Sequence, residues 1–276
     1  MDTAAEVARH YGNGVLAQSI LDAVSASGKD AERLTHTDLA PVDEFHIGGR
    51  VATQALAEQL ALRPDMHLLD VGCGPGGASR YFAQEHGCRV TGIDLTVDYV
   101  RTAELLSARL GLRDRISYRQ ASALALPFDP ASFDGAYMLH VGMNIGDKAA
   151  LFAEIRRVLR PGAQFAVYDV MREGDGDLSF PVPWASRADI SFVDDAATYR
   201  RLLEDAGFVV DAERSRRDFA VEFFRRLRAR AAEGGGPPAL GLHILMGASS
   251  AEKVANMIDN LERGLIAPTE MIGRAV

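Results

Sequence analysis

The sequence predicts an α/β fold built on a seven-stranded, mostly parallel sheet with helices on both faces. Short β-rich runs alternate with amphipathic helical segments from residue 67 to residue 210, and this alternation is typical of βαβ units with right-handed crossovers. The first strand leads into a glycine-rich turn and then into a helix. With 47% hydrophobic and 25% charged residues among 276, the chain has the composition of a folded globular protein.

The strands are predicted where short apolar runs stand between turn signals. The helices between them carry apolar residues at helical spacing and end at Gly or Pro, as in the segment that stops at Pro161-Gly162. The predicted strands cover residues 67–71, 89–93, 115–118, 133–139 and 164–170, a run that starts at 208, and a last strand at about 271–276.

Helical segments also precede and interrupt this sheet. Apolar stripes predict helices around residues 15–24 and 51–62, separated by a loop that contains Pro41 and Gly48-Gly49. Two further stripes flank the glycine- and proline-rich linker 234–238. These patterns predict an N-terminal helical cap (1–62), a sheet core (63–213), an inserted helical pair over the site (214–266) and a final core strand (267–276).

Charge and cysteine content narrow the function classes. The net charge of −8 argues against a nucleic-acid partner, because phosphate neutralisation needs a basic surface. No apolar run reaches the roughly 20 residues of a membrane span, and the N-terminus lacks a signal-peptide pattern, so no membrane partner is expected. With only Cys73 and Cys88, we expect no disulfide scaffold, no metal site and a cytoplasmic location. A monomer or a homodimer is expected.

The most informative stretch is the glycine turn after the first strand. Asp70 ends that strand, and Gly72, Gly74 and Gly77 follow it. Glycines let a ligand approach the backbone closely, and this spacing also fits a dinucleotide site. A dinucleotide brings a pyrophosphate, which the upstream carboxylate repels, whereas a ligand with an ammonium group is attracted. A tight turn without any ligand is the alternative.

A second acid stands at the end of the second predicted strand. Asp94 lies 20 residues past Gly74, at the place where an acid accepts hydrogen bonds from ribose hydroxyls in nucleotide-binding α/β folds. A favourable charge at the start of the next helix is the alternative. Because strand end, acid and preceding turn coincide, the sequence predicts a nucleoside ligand.

Four sequence blocks follow in a fixed order: LLDVGCGPGG at 68–77, VTGID at 90–94, ASALALPF at 121–128 with SFD at 132–134, and EIRRVLRPGAQFAVYDV at 154–170. Together they resemble the class I S-adenosylmethionine-dependent methyltransferases, in particular the small-molecule group called type 11, which have a Rossmann-like core. More loosely, the chain is similar to sarcosine/dimethylglycine, phosphoethanolamine and tocopherol methyltransferases. The resemblance implies S-adenosylmethionine as cofactor, S-adenosylhomocysteine as product and a small-molecule methyl acceptor.

The same resemblance assigns residues to the parts of the cofactor. The relatives usually have Asp where this chain has Ser122, so the contact to the adenine amine is the weakest of the set. The residues expected at the methionyl end are Asp70, Gly72, Gly74, Gly48 and Gly49; those at the ribose and adenine are Asp94 and Leu95; those at the adenine edge are Ser122 and Ala123.

Catalytic candidates follow the fourth predicted strand. Many relatives place an acid where His140 stands and a His where Asn144 stands. In phosphoethanolamine methyltransferases that His pairs with an N-terminal Tyr, whose counterpart here is Tyr11, but the replacement by Asn144 means that the pair is not carried over whole. We predict His140 as a cofactor contact and as the base, with Tyr11 as the second catalytic candidate. A backbone-bonded histidine and a packing tyrosine are the alternatives.

Three residues are predicted to contact the acceptor. They are His46 beside the Gly48-Gly49 pair, Asn144, and Trp184, which would wall the pocket or face a cation. An ordinary loop histidine and a loop anchored by one aromatic residue are the alternatives. The sequence thus predicts in-line methyl transfer to an amine or hydroxyl of a small molecule. A nicotinamide-dependent oxidoreductase and a non-catalytic S-adenosylmethionine-binding protein remain the rival functions.

Overall fold

The computed structural model describes residues 15–233 and 238–276. Its sheet has seven strands in the order β3-β2-β1-β4-β5-β7-β6. Strands β1 to β5 pair in parallel, and β7 runs antiparallel to both β5 and β6. The strands are β1 His67–Val71, β2 Arg89–Asp94, β3 Ile116–Gln120, β4 Phe133–Leu139, β5 Leu159–Arg172, β6 Phe208–Ser215 and β7 Ile266–Ala275.

Helices pack on both faces of this sheet, which confirms the predicted fold class. One face carries a buried cluster that includes Leu151, Phe165 and Tyr199, and the other carries a cluster that includes Leu56 and Phe82. Within the described ranges, no helix is both long enough and apolar enough to cross a bilayer. The helices are α1 Leu16–Ala26, α2 His36–Asp43, α3 Gly49–Ala57, α4 Gly77–Glu85, α5 Val97–Arg109, α6 Lys148–Val158, α7 Ala196–Asp205, α8 Arg217–Glu233, α9 His243–Met246 and α10 Ser250–Glu262.

The loop predicted around Pro41 is wrong, because helix α2 runs through it. The helix starts with a capping box, in which Thr35 Oγ1 accepts from the Asp38 backbone N–H at 3.2 Å and Asp38 Oδ2 accepts from the Thr35 backbone N–H at 2.9 Å. Such a cap satisfies backbone donors that a short helix otherwise leaves unpaired. Pro41 removes only one internal hydrogen bond, so the capped start suffices to keep this turn helical.

Two predicted boundaries around the longest strand are also wrong. Helix α6 ends at Val158 rather than at Pro161-Gly162, because β5 already begins at Leu159. Strand β7 begins at Ile266 rather than at about 271. The reason is tertiary: Leu159 pairs with Phe133 of β4, and β5 and β7 are paired continuously from Gln164 with Arg274 to Arg172 with Ile266. A long-range antiparallel ladder of this kind extends strands beyond what local patterning indicates.

The topology places a binding crevice between β1 and β4. From β1 the chain moves outward to β2 and β3 on one side of the sheet, whereas β4 and β5 lie on the other side. Open α/β sheets bind ligands at the carboxyl ends of the strands, where the strand order reverses in this way. The residues after β1, β2 and β4 are therefore the natural place for a site.

Candidate functional site

A cavity of about 770 Å³ lies at the carboxyl ends of β1, β2 and β4. Ligand sites of drug-sized molecules occupy about 300–1,000 Å³, so this space accommodates a cofactor and a small second molecule. Its floor is formed by the strand ends, and its roof by the segment from α2 to α3 and by residues of α8 and α10. The inserted helices thus lie over the crevice that the sheet topology creates.

The glycine turn after β1 forms part of the floor. Gly72 and Gly74 have φ values of +71° and +51°, which side-chain-bearing residues rarely adopt. A Cβ atom on Gly72 would lie 2.4 Å from Val141, whereas a Cβ atom on Gly74 would meet nothing within 4 Å. Gly72 is therefore required by packing against the end of β4, and Gly74 leaves free space beside the cavity.

Asp70 is a buried carboxylate at the end of β1. Ser79 Oγ donates a hydrogen bond to it at 2.6 Å. Burial, with a smaller contribution from the nearby charges of Asp94 and Glu44, raises the pKa of Asp70 to about 7. A cation placed beside this carboxylate would stabilise its charged form.

Asp94, at the end of β2, is held by the backbone. Gly74 N–H donates to its Oδ2 at 2.9 Å, and Thr96 N–H donates to its Oδ1 at 2.8 Å. Burial nevertheless raises the pKa of Asp94 above its ordinary value. A carboxylate offers about four acceptor positions, so two remain for ligand hydroxyls after these two backbone bonds.

The roof contributes two more carboxylates, and both are ion-paired. Asp43 accepts from Arg80 at 2.6 Å with both side chains fully buried, and Glu44 pairs with Arg50. No ion pair within residues 15–233 and 238–276 involves Asp70 or Asp94. The floor of the cavity therefore carries uncompensated negative charge, which favours a cationic ligand and opposes a diphosphate.

The Asp43–Arg80 pair is not predicted from the sequence. Arg80 also donates to the Pro75 carbonyl at 2.8 Å and to Ser107 Oγ at 3.2 Å, so it ties helix α2 to the glycine turn. In the sequence, Asp43 stands in a segment predicted as loop, and Arg80 looks like an ordinary helical residue. The sequence gives one indication of the role of Arg80, which is its position as the fourth residue of the helix that follows the glycine turn.

His46 and the glycine pair shape the roof at the start of α3. Gly48 and Gly49 have φ values of +89° and +50°. His46 Nε2 lies 3.1 Å from the Gly49 carbonyl oxygen and 3.0 Å from Thr53 Oγ1. Burial lowers the pKa of His46, which outweighs the opposite effect of Glu44. His46 is therefore neutral near pH 7 and is fixed by its neighbours.

His140 lies directly after β4 with a φ of 55°, and such a strained backbone is often found at functional sites. Its backbone N–H donates to the Tyr168 carbonyl at 2.7 Å, and its ring lies 5.9 Å from that of His46. Ring atom Nε2 is buried, and no described residue forms a hydrogen bond with it. Burial, with a smaller contribution from His46, lowers the pKa of His140 well below its ordinary value.

Asn144 and Trp184 border the same part of the cavity. Asn144 Nδ2 donates to the Val141 carbonyl at 3.3 Å, while its Oδ1 is buried and has no hydrogen-bond partner in the described part of the chain. Trp184 is 3% exposed, and its Nε1 donates to Ser191 Oγ at 2.9 Å. Trp184 therefore presents hydrocarbon surface, whereas Asn144 presents an unused acceptor.

Hydrocarbon side chains form most of the remaining wall on the β4 side. Phe223, Phe224 and Met257 lie on the apolar stripes of α8 and α10, and Phe224 and Met257 belong to a buried cluster. All three also border the cavity, together with Leu139, Met143 and Val254. The stripes on α8 and α10 thus serve packing and the cavity wall at once.

The structure brings the predicted site residues to one place. Tyr11 lies outside the described residues, so its predicted role stays a prediction. The others all line this cavity: Gly48, Gly49, Asp70, Gly72, Gly74, Asp94, Leu95, Ser122 and Ala123 among those predicted for the cofactor, and His46, His140, Asn144 and Trp184 among those predicted for the acceptor or the chemistry.

Comparison with known proteins supports the resemblance seen in the sequence blocks. Residues 69–167 match the family model described as a methyltransferase domain. An O-methyltransferase named resE, from Aspergillus sclerotiorum, is 36% identical over 124 residues, which are 44% of this chain and 47% of that protein. The chain thus matches only about half the length of this relative. Residues 69–167, which match the family model, include Asp70, the glycine turn and Asp94.

Solved structures share the fold. Geranyl diphosphate C-methyltransferase from Streptomyces coelicolor A3(2), in complex with Mg²⁺, geranyl diphosphate and S-adenosylhomocysteine, has a TM-score of 0.72 at 19% identity over 100% of this chain and 98% of that chain. The [4+2]-cyclase SpnF has a TM-score of 0.65 at 23% identity over 82% of this chain and 80% of that chain. At such identities the similarity establishes the architecture and leaves the activity open.

Proposed function

Because residues 69–167 form a methyltransferase domain, we propose that the chain is an S-adenosylmethionine-dependent methyltransferase acting on a small molecule. One observation carries the proposal: Asp70 and Asp94, two carboxylates that form no ion pair with any described residue, flank a glycine turn at the switch point of the sheet. S-adenosylmethionine is a nucleoside with an ammonium group and a positively charged sulfur. Its positive charges would be attracted by the carboxylates of the cavity floor, and its ribose hydroxyls would donate hydrogen bonds to Asp94.

The residues present fit this cofactor in three ways. Gly74 leaves open space where a side chain would otherwise stand. Asp70 is buried and has a raised pKa, so an ammonium group would relieve an existing cost. Asp94 is already oriented by the Gly74 and Thr96 backbone amides, so little ordering is needed on binding. The same wall continues through Leu95, Ser122 and Ala123, which would border the adenine ring.

When bound, the cofactor supplies a methyl group activated by the positive sulfur. The protein then has to bind both molecules, align the acceptor and exclude water. The roof from α2 to α3 and the helices α8 and α10 enclose the cavity and perform the last of these tasks. His140 stands on the β4 side as a neutral imidazole that accepts a proton from the acceptor. The enclosed shape supports a small-molecule acceptor rather than a polymer.

Two rival functions are distinguishable. A nicotinamide-dependent oxidoreductase would place a pyrophosphate at the glycine turn, next to the unpaired Asp70. A non-catalytic protein would bind the cofactor at the same cavity floor without transferring its methyl group. The fold neighbour SpnF is named a cyclase, so this fold also occurs in a protein named for another reaction. The charge of the floor disfavours the first rival but not the second.

Methyl transfer itself separates the proposal from the second rival. The protein is incubated with methyl-labelled S-adenosylmethionine and a low-molecular-mass cell extract, and labelled products are resolved by chromatography. We expect labelled small molecules that are absent when Gly74→Asp protein replaces the wild type. Tight binding of the labelled cofactor without any labelled product would favour a non-catalytic protein.

A further inference from the structure

We propose that the methyl acceptor is an uncharged, largely apolar small molecule with a hydroxyl group, and that the hydroxyl oxygen receives the methyl group. This inference rests on the proposed function and concerns the β4 side of the same cavity. It depends on three features of that side among the described residues. Two buried polar atoms have no hydrogen-bond partner, the charged side chains of the roof are ion-paired with one another, and the remaining wall is hydrocarbon. Of the proteins compared above, one is named an O-methyltransferase and another a C-methyltransferase. Their names therefore do not identify the acceptor atom of this protein.

Two buried polar atoms on this side have no hydrogen-bond partner among residues 15–233 and 238–276. They are His140 Nε2 and Asn144 Oδ1, from residues that both line the cavity. An unsatisfied buried polar atom destabilises the folded protein, and native proteins contain few of them without a functional reason. The amide oxygen of Asn144 only accepts hydrogen bonds, and a neutral imidazole has one unprotonated nitrogen that accepts as well. Asn144 Oδ1 therefore needs a hydrogen-bond donor, and His140 Nε2 needs one when it is the unprotonated ring nitrogen, the form in which it accepts a proton.

Charged donors do not suit this side of the cavity. The two carboxylates of the roof, Asp43 and Glu44, are already paired with buried or half-buried arginines, so neither is left to neutralise an ammonium acceptor. An acceptor with phosphate groups would in turn need a cation, yet Arg50 is held by Glu44, and Asp70 and Asp94 add negative charge. Burying an unpaired charge costs much more than burying a hydroxyl. The donor is therefore a neutral hydroxyl.

The wall around these two atoms fixes the rest of the acceptor. Met143, Trp184 and Phe224 are almost completely buried and form one cluster with Met257 beside the cavity. Hydrocarbon walls of this kind stabilise a bound ligand in proportion to the apolar ligand surface that they remove from water. A compact hydrophobic skeleton with one hydroxyl at the cofactor-facing end matches both the wall and the two polar atoms.

The chemistry is consistent with a neutral histidine of low basicity. A lone pair of the hydroxyl oxygen forms the new O–CH3 bond, the C–S bond breaks, and its electron pair stays on sulfur to leave the thioether product. The hydroxyl proton becomes strongly acidic as the oxygen gains the methyl group, so the weakly basic imidazole of His140 is able to accept it. The hydroxyl has a single hydrogen, so Asn144 Oδ1 and His140 Nε2 share it in the bound state, and Asn144 takes no proton in the reaction.

Matched probe molecules test the inference on protein saturated with S-adenosylhomocysteine. Two skeletons are used: geraniol with geranyl methyl ether, geranylamine and geranyl diphosphate, and 2-naphthol with its methyl ether, its aminomethyl analogue and its phosphate. We expect at least one hydroxyl probe to bind about tenfold more tightly than its charged counterparts, and three- to tenfold more tightly than its ether. The preferred hydroxyl probe should also yield an O-methyl product with S-adenosylmethionine.

Two near-isosteric variants locate the hydroxyl. In Asn144→Leu and His140→Phe protein, the preference for the hydroxyl probe over its ether should fall to about twofold or less, since the partner atom is gone. Asn256→Leu and His86→Phe serve as controls, because both residues lie outside the cavity lining, and they should keep the preference. Affinity for S-adenosylhomocysteine and the far-ultraviolet circular dichroism spectrum of each variant identify any loss of fold.

The possible outcomes distinguish a failure of the proposed function from a failure of the inference about the acceptor. Failure of the wild type to bind S-adenosylhomocysteine would contradict the proposed function itself. If S-adenosylhomocysteine binds but an ammonium or phosphorylated probe is preferred, or no hydroxyl probe binds, only the inference about the acceptor is overturned. A hydroxyl preference that survives both substitutions would also overturn it, because the hydroxyl would then be recognised elsewhere.

Discussion

The backbone amide of Gly74 donates a 2.9 Å hydrogen bond to Asp94 Oδ2, which joins the glycine turn after β1 to the acid at the end of β2. Thr96 N–H holds the other carboxylate oxygen at 2.8 Å. Both oxygens of Asp94 thus have a fixed direction before any ligand arrives. Preorganisation of this kind reduces the ordering cost of binding.

Asp94→Asn tests this relationship. An amide has one acceptor oxygen, so its nitrogen must face one of the two backbone N–H groups and leave it unsatisfied. We expect a loss of about 1–3 kcal/mol in the free energy of unfolding and at least about tenfold weaker binding of S-adenosylhomocysteine. Urea denaturation and calorimetry measure the two effects. Glu104→Gln, on the exposed side of α5, is the control, and an equal effect there would refute the assignment.

Gly74→Ala separates ligand contact from folding. The left-handed backbone costs an alanine about 1–2 kcal/mol, but the added Cβ meets no protein atom within 4 Å. Gly28→Ala is a matched control, since Gly28 has a φ of +79° and equally open surroundings away from the cavity. Both variants should unfold at similarly reduced urea concentrations, whereas only Gly74→Ala should lose affinity for S-adenosylhomocysteine. Equal affinities in the two variants would exclude the glycine turn from the site.

Cofactor affinity should depend on pH through Asp70, whose pKa is raised to about 7 by burial. An ammonium ligand requires the ionised carboxylate, so affinity should fall about five- to tenfold as the pH is lowered from 7.5 to 6. The ligand-free protein should show the opposite trend in stability. A raised folded-state pKa stabilises the protein fully below the unfolded-state value, and this contribution is lost as the pH rises through about 7. Calorimetry and urea denaturation over this pH range measure both.

Asp70→Asn is the control for that pH dependence. The variant should bind S-adenosylhomocysteine more weakly, with an affinity that varies much less between pH 6 and 7.5. The free energy of unfolding of the wild type should decrease as the pH rises toward 7, and this decrease should be absent in the variant. An unchanged pH profile in Asp70→Asn protein would mean that another group titrates.

The buried pair between Arg80 and Asp43 should contribute to both stability and cofactor binding. Both side chains are fully buried, so removing one partner leaves an uncompensated charge. Arg80→Met should therefore lower the free energy of unfolding by about 3–5 kcal/mol. The exposed pair of Arg201 and Asp205 on α7 provides the control, and Arg201→Met should leave the urea midpoint nearly unchanged. A small effect of Arg80→Met would contradict the view that this pair holds α2 to the glycine turn.

The sequence predicts the floor of the site well and its roof poorly. Asp70, the glycine turn and Asp94 follow one another along the chain, and each stands at a strand end that local hydrophobic patterning identifies. Arg80 and Asp43 are 37 residues apart and meet only in the folded chain. The early start of β7 likewise depends on its pairing with β5. The helical stripe of α8 shows which face is apolar, but not that Phe223 borders a cavity.

Calorimetric titration of the wild-type protein with S-adenosylhomocysteine and, separately, with NADH tests the central claim most directly. The account predicts saturable binding of S-adenosylhomocysteine and no binding of NADH, because the floor formed around Asp70 attracts an ammonium group and repels a diphosphate. Tight binding of NADH with no heat from S-adenosylhomocysteine would contradict it.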